Sequence, residues 1–209
     1  MHPSILKRDG HIVDHIGYVA PDIDAAIDQI EDQTGVRPMV VGIFGAQKRA
    51  VLRLGDEAFL EILGPAPGTT EPLDPLMQAA VELPEPQILF WYMAVSDFDT
   101  YANHTASVGH ALQMEQTVNR GGYHYRIAGP DGIINAPVVP WVIHWMAKMQ
   151  ELANAPSIGT LKTIQLHHPE PNRIQPVLNR LQIDLQVEDG ARPMVALEIE
   201  TANGMLRLS

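Results

Sequence analysis

The sequence predicts an α+β protein built from repeated βαβββ units whose curved, mixed sheets surround a cavity. Two observations lead to this prediction. Residues 1–66 show the pattern of a strand, a helix and three further strands, and the same order begins again near residue 86. The two predicted helix starts, APDIDAAI and VSDFDTYA, overlay without a gap. Repetition of one supersecondary unit at a fixed spacing is the signature of a repeat architecture.

The first unit, residues 1–66, begins with a strand over residues 11–20. Strand alternation assigns one face to Val13, His15, Gly17 and Val19 and the other to Ile12, Ile16 and Tyr18. Pro21-Asp22 opens a helix with apolar residues at helical spacing, and Gly35 is placed to end it. Three short strands over residues 36–42, 49–54 and 58–63 complete the unit.

A proline-rich linker over residues 67–85, in which a short helix is expected before Pro84 and Pro86, separates this unit from the second, residues 86–150. The second unit has a strand over 87–95, a helix capped by Ser96-Asp97, and strands over 111–115, 122–128 and 138–146. Residues 151–209 form a third, degenerate unit with a strand over 160–166, a helix over 171–181 and three short closing strands. Three copies of one pattern therefore account for nearly the whole chain.

The amino-acid composition limits the kinds of partner, location and metal ligand that the protein can have. The 209 residues carry a formal charge of -11, with 14 Lys and Arg against 25 Asp and Glu, which argues against nucleic acid as a partner. No apolar run is long enough to span a membrane and the amino terminus lacks a secretory signal, so we expect a cytoplasmic protein. The chain has no cysteine, so any metal must be bound by imidazole nitrogen and carboxylate oxygen.

His15 and Glu61 are the first candidate site residues, because they lie on two strands that flank one helix. Glu61 shares a face with Phe59 and Leu63, among apolar neighbours. A buried, unpaired carboxylate is costly, and a cation would stabilise it. The alternatives are a hydrogen-bonded His15 and a Glu61 that faces water from an edge strand.

His144 is the third candidate. Overlaying the two units places Phe90 at the position of His15 and His144 at the position of Glu61. Two imidazoles and one carboxylate make the facial arrangement used by Fe(II), and they also suit Zn, Mn or Ni, so the sequence predicts a divalent metal ion without choosing among these. The alternative is a His144 that is hydrogen-bonded beneath Trp141 and Trp145.

Further candidates lie on the middle strands. His124 and Arg126 share one strand face, which predicts His124 as a catalytic group beside Glu61 and Arg126 as a substrate-binding group, unless both lie on the outer face. Arg49 is the second predicted substrate-binding residue, since its guanidinium matches a carboxylate. Lys48 next to it belongs either to the same site or to a solvated turn.

The chain resembles the glyoxalase-like branch of the vicinal oxygen chelate superfamily. The resemblance rests on DHIGYVAPDIDAAIDQIEDQTGVRP, on LGD with FLEILGP, on VVPWVIHW and on LHHPEPNRIQPVLNRL. It implies βαβββ units paired around a cavity, with divalent metal ligands on the first and last strands of a unit, here His15, Glu61 and His144. Phe90 departs from the pattern, because it removes the first-strand ligand of the second unit.

The resemblance implies a metal-dependent enzyme that acts on a small, vicinally oxygenated substrate, with the metal as Lewis acid. Both lyase or isomerase chemistry of glyoxalase type and ring cleavage of extradiol dioxygenase type fit this expectation. The alternative is a non-catalytic binding or resistance protein on the same fold. Exposed strand edges also predict a homodimer.

Overall fold

In the computed structural model of the chain, the described residues are 7–8, 11–56, 58–107, 112–120, 123–129, 137–147 and 154–209. Within them lie four helices, α1 (Ile23–Thr34), α2 (Pro75–Glu82), α3 (Phe98–Ser107) and α4 (Pro171–Arg180). The strands of the same residues are β1 (Lys7–Arg8), β2 (His11–Val19), β3 (Met39–Phe44), β4 (Gln47–Leu54), β5 (Ala58–Pro65), β6 (Gln87–Ala94), β7 (Gln113–Arg120), β8 (Tyr123–Gly129), β9 (Trp141–Ala147), β10 (Ser157–His168), β11 (Val187–Asp189), β12 (Met194–Thr201) and β13 (Gly204–Leu208).

One curved, open sheet joins the strands in the order β13-β12-β10-β4-β5-β2-β6-β9-β8-β7, and β1, β3 and β11 pair with β2, β4 and β10 off this path. The sheet is mixed, because β2 pairs in parallel with β5 and antiparallel with β6. The pairing of β2 with β6 joins the elements of the first half to those of the second half. The α+β fold class predicted from the sequence is confirmed.

The sheet has two different faces at its centre. We call one the helix face, defined by Ile16, Leu60 and Trp91, which pack against the apolar sides of α1 and α3 and against β10 and β12. We call the other the site face, on which His15 pairs with Phe59 and Tyr92. Helix α1 is capped by the Asp22 side chain, which accepts from the Ala25 amide, and it ends at Gly35 with φ 73°, a left-handed conformation that glycine adopts without strain.

Helix α2 lies on the site face and fills part of it. Its buried residues Met77 and Ala80 pack with Leu63, Phe90 and Trp141 in a second apolar cluster. The segment expected to be a linker therefore contributes a helix to the core. The division of the chain into units at residues 66, 85 and 150 stays a prediction, as does the homodimer.

A bulge in β2 corrects the predicted faces of this strand. Val13 pairs with Met93 and His15 pairs with the next residue of β6, Tyr92, so Asp14 is an extra residue on its strand. Val13 consequently packs in the helix-face core with Ile16, and not on the face of His15 as alternation predicted. Across the described ranges, no helix is long and apolar enough to cross a membrane.

Candidate functional site

The bulge in β2 brings two adjacent polar side chains together. His15 Nδ1 lies 2.8 Å from Asp14 Oδ1, and because a carboxylate only accepts hydrogen bonds, Nδ1 carries the proton. Trp145 Nε1 donates to the other oxygen of Asp14 at 2.9 Å. The His15 ring stacks on Tyr92 with centroids 4.3 Å apart. These contacts fix the imidazole and direct its Nε2 away from Asp14.

Glu61 lies in front of that free nitrogen. His15 Nε2 is 3.7 Å from Glu61 Oε2, and the two side chains are 16% and 15% exposed. In a neutral His15 ring, Nε2 carries a lone pair and therefore faces a group that also only accepts. A proton or a cation between the two atoms would relieve this opposition. The pair is thus suited to hold and transfer a proton.

Arg49 binds the other oxygen of Glu61. Its Nη1 donates to Glu61 Oε1 at 3.2 Å. The guanidinium is held on its other edge by Gln47 Oε1, which accepts from Nε at 3.1 Å and from Nη2 at 2.7 Å. Gln47 is buried, and its Nε2 donates to Asp74 Oδ2 at 2.6 Å. Asp74 caps α2 by accepting from the Met77 amide at 3.0 Å, so a chain of hydrogen bonds connects Glu61 to this helix.

Aromatic side chains from β6, β8 and β9 form a wall beside these charged groups. Tyr92 lies edge-on to Phe90 at 5.6 Å and tilted to Trp141 at 6.0 Å. Burial, followed by the negative charge of Glu61, raises the pKa of the Tyr92 hydroxyl, so this phenol stays neutral over the ordinary pH range. Tyr125 and Trp145 extend the wall with an edge contact at 5.0 Å. One side of the site is therefore charged and the other is aromatic.

His144 is not brought to this site. Trp141 of β9 pairs with Tyr92, so strand alternation places His144, three residues further on, on the helix face. There its Nδ1 lies 3.0 Å from the carbonyl oxygen of Val95, to which it donates. The predicted set of His15, Glu61 and His144 is therefore not assembled, and the hydrogen-bonded alternative describes His144 better.

The pairing register identifies the true counterpart of Glu61. Gly17, two residues after His15, pairs with Glu61. Tyr92, two residues after Phe90, pairs with Trp141 in the same way. If Phe90 is the counterpart of His15, as the overlay of the helix starts requires, Trp141 is the counterpart of Glu61. The sequence overlay was thus displaced by three residues on the last strand.

The candidates on β8 also lie away from the site. Arg126 pairs with His144, donates to Asp99 of α3 at 2.9 Å, and lies 4.1 Å above the Phe98 ring. His124 is two residues away and shares the helix face of Arg126 by alternation. The predicted substrate role of Arg126 and catalytic role of His124 are therefore not supported by their positions. Lys48 forms an ion pair with Asp24 of α1.

These residues do not fit the metal ion that the resemblance implied. Of the four first-strand and last-strand positions, His15 and Glu61 carry donor atoms, whereas Phe90 and Trp141 carry none. Transition-metal sites in enzymes use three protein ligands as a rule. Among the residues that the structure describes, no group of three or more His, Asp or Glu side chains could hold a metal ion. Arg49 further opposes a cation beside Glu61.

Sequence reasoning missed four residues of the site. Asp14 and Trp145 give no signal, because alternation does not reveal a bulge. Tyr92 shows only the pattern of a buried strand. Gln47 had a usable signal, since it shares a strand face with Arg49 two residues later, and a buried amide beside a guanidinium is a natural positioning group.

Comparison with known proteins identifies the family. A model of the glyoxalase-like domain matches residues 13–182. A hypothetical protein from Staphylococcus aureus is 12% identical over 94% of this chain and 98% of its own, with a TM-score of 0.64. A mutant of 4-hydroxymandelate synthase from Streptomyces coelicolor is 16% identical over 94% of this chain and 61% of its own, with a TM-score of 0.57.

A methylmalonyl-CoA epimerase variant from Streptomyces coelicolor is 17% identical over 65% of this chain and 97% of its own, with a TM-score of 0.48. No curated protein matches the chain. At these identities the structural likenesses show the fold, whereas the family match extends over most of the chain. The chain therefore belongs to the family of glyoxalase-like domains.

Proposed function

We propose that the protein is an enzyme that moves a proton on a small, oxygen-bearing molecule bound at the site face. The observation that carries this proposal is the opposition of His15 Nε2 and Glu61 Oε2 at 3.7 Å, with both groups largely shielded from water. Proton transfer by a positioned carboxylate or imidazole contributes about a hundred-fold to ten-thousand-fold in rate. Two such groups side by side can take a proton and return it.

The proposed reaction breaks a C–H bond next to a carbonyl group of the substrate. The proton passes to Glu61 Oε2, the electron pair of the C–H bond forms a C=C bond to the carbonyl carbon, and the π pair of the carbonyl group moves to its oxygen, so that the substrate becomes an enolate. A protonated His15 Nε2 then returns a proton to the same carbon and the carbonyl group re-forms, after which the proton held by Glu61 passes to His15 Nε2 and both groups regain their starting states. The net change is an isomerisation in which nothing is oxidised or reduced.

The surrounding residues have roles that follow from their contacts. Asp14 fixes the His15 ring through Nδ1 and stabilises its positive charge when Nε2 is protonated. Tyr92 stacks on the ring and excludes water from one side of it. Arg49 places a positive charge beside Glu61, where it can stabilise an enolate oxygen of a bound substrate. Isomerase or lyase chemistry of glyoxalase type is therefore favoured over ring cleavage, which requires a three-ligand iron site.

A metal-dependent enzyme is the second candidate, and one observation favours it. His15 donates through Nδ1 to a carboxylate and presents Nε2 to another, which is the arrangement of metal-binding histidines in many proteins. Fe, Zn, Mn or Ni would find two protein ligands here, one short of the usual number. A non-catalytic binding protein is the third possibility, and the same experiment tests it.

The experiment is hydrogen exchange in D2O. A panel of small ketones, hydroxyketones and keto acids is incubated with the protein, and loss of the C–H signal is followed by proton NMR. We expect exchange with wild type, at least a hundred-fold slower exchange with Glu61→Gln or His15→Gln, and unchanged exchange with His144→Gln, the control on the helix face. Saturable binding of a panel member without any exchange would instead support a binding protein.

A further inference from the structure

We propose that Arg49 supplies the fixed positive charge that a divalent ion would supply in this site, and that it binds an anionic oxygen of the substrate. The inference rests on the proposed function in taking the bound anion to be a substrate, but anion binding itself can be tested without turnover. It defines the ligand class as small molecules with a carboxylate or enolate oxygen.

The first argument is that Arg49 cannot easily leave Glu61. Gln47 Oε1 accepts from both Nε and Nη2 of the guanidinium. Gln47 itself is buried and bonded to Asp74, which also caps α2 through the Met77 amide. The Phe44 ring lies beneath the guanidinium, with Arg49 Cζ 5.4 Å from its centroid. The charge is therefore fixed by contacts on its edge and on its face.

The second argument is that the guanidinium still has donors to offer. Of its five N–H groups, two bond to Gln47 and one bonds to Glu61. Within the described part of the chain, two N–H groups are left for a ligand, and the side chain is 32% exposed, so a ligand can reach it. A guanidinium with free donors recognises the planar oxygen pair of a carboxylate or an enediolate.

The third argument concerns charge. The Arg49 guanidinium already compensates the negative charge of Glu61, and it would repel a cation placed between Glu61 and His15. The two other ligand positions of the fold hold Phe90 and Trp141, which neither attract nor bind a cation. The same site is thus unfavourable for an ion and favourable for an anion. Removing the arginine charge should reverse this preference.

The test measures Zn²⁺ affinity by competition with a chromophoric chelator. We expect weak binding to wild type and at least ten-fold tighter binding to Arg49→Met, because His15 and Glu61 then face a cation without a neighbouring positive charge. Arg126→Met, which removes a half-buried arginine on the helix face, is the matched control and should leave the affinity unchanged. Arg49→Lys keeps the charge, so its Zn²⁺ affinity should stay close to that of wild type.

A second measurement uses oxalate, a dianion with two adjacent oxygens, in buffer that contains EDTA. Wild type should bind oxalate, and Arg49→Met should bind it at least ten-fold more weakly. Three results would overturn the inference. They are one equivalent of a transition metal retained by purified wild type, a Zn²⁺ affinity that is unchanged in a folded Arg49→Met, and oxalate binding that EDTA abolishes. If Arg49→Met does not fold, Arg49→Gln replaces it in both assays. Absence of D2O exchange with these results intact would refute only the enzyme proposal.

Discussion

The close contact between Gly17 and the Phe90 ring makes the aromatic wall testable. A Cβ added at Gly17 would lie 2.2 Å from Phe90 Cζ and 2.3 Å from Cε2. The ring is buried between the sheet and α2 and has little room to move. Overpacking of this kind costs about 1 to 3 kcal/mol, so Gly17→Ala should destabilise the protein by that amount. For a chain of this size, each kcal/mol corresponds to about 2 to 4 °C in Tm.

A double-mutant cycle separates the clash from other effects of the methyl group. Phe90→Ala should cost about 3 to 5 kcal/mol by itself, because it removes a large buried ring. With the ring absent, the methyl group introduced by Gly17→Ala no longer meets it, and the double variant should be more stable than the sum of the single effects by about 1 to 3 kcal/mol. Urea unfolding followed by tryptophan fluorescence measures all four proteins. Additivity within about 0.5 kcal/mol would refute the steric argument.

Three further predictions concern pH and the helix face. Burial raises the pKa of Tyr92 and Tyr101 above the ordinary 10.0, and burial together with the charge of Glu85 does the same for Tyr18. The stability that these neutral phenols contribute is therefore present below pH 10.0 and is lost as the pH rises above it. Between neutral and strongly alkaline pH, the urea midpoint of Tyr92→Phe should fall less than that of wild type. Asp97 accepts hydrogen bonds from the backbone amide and the hydroxyl of Thr100, and these lower its pKa below the ordinary 3.8. Asp97→Ala should therefore be less stable than wild type at neutral pH and as stable as wild type in strong acid. Equal losses of stability at both pH values would contradict this. His144→Leu should cost about 0.5 to 1.5 kcal/mol in unfolding free energy through one lost hydrogen bond, with D2O exchange unchanged, whereas loss of exchange would return His144 to the site.

The regular strands could be predicted from the sequence in detail. Alternation correctly placed Glu61 on the face of Leu63, while Leu60 and Ile62 pack in the helix-face core, because β5 has no irregularity over these residues. The same rule failed in β2, where Asp14 shifts the phase by one residue between Val13 and His15. A bulge leaves no signal in hydrophobic alternation, since it changes which residues pair and not which residues are apolar.

The predicted metal-ligand set of His15, Glu61 and His144 is not brought together for a different reason. Placing His144 at the position of Glu61 required the lengths of several loops in both units to match, and no residue pattern between them fixes that length. The pairing of Trp141 with Tyr92 shows an offset of three residues, which is enough to move a side chain to the other face. The role of α2 was likewise not predictable, because a proline-rich segment with a short apolar stretch gives no indication of which surface it covers.

The separation of charged groups on β2, β4 and β5 from aromatic groups on β6, β8 and β9 has a consequence for how this protein can be altered. The aromatic wall and the reactive groups of the site are encoded in different stretches of the chain, residues 87–145 and residues 14–61. Recombination between relatives at the intervening segment would exchange one property and keep the other. A directed library at Tyr125, which is partly exposed, would search for new ligands while the proton-transfer pair and the Trp145 hydrogen bond to Asp14 are kept.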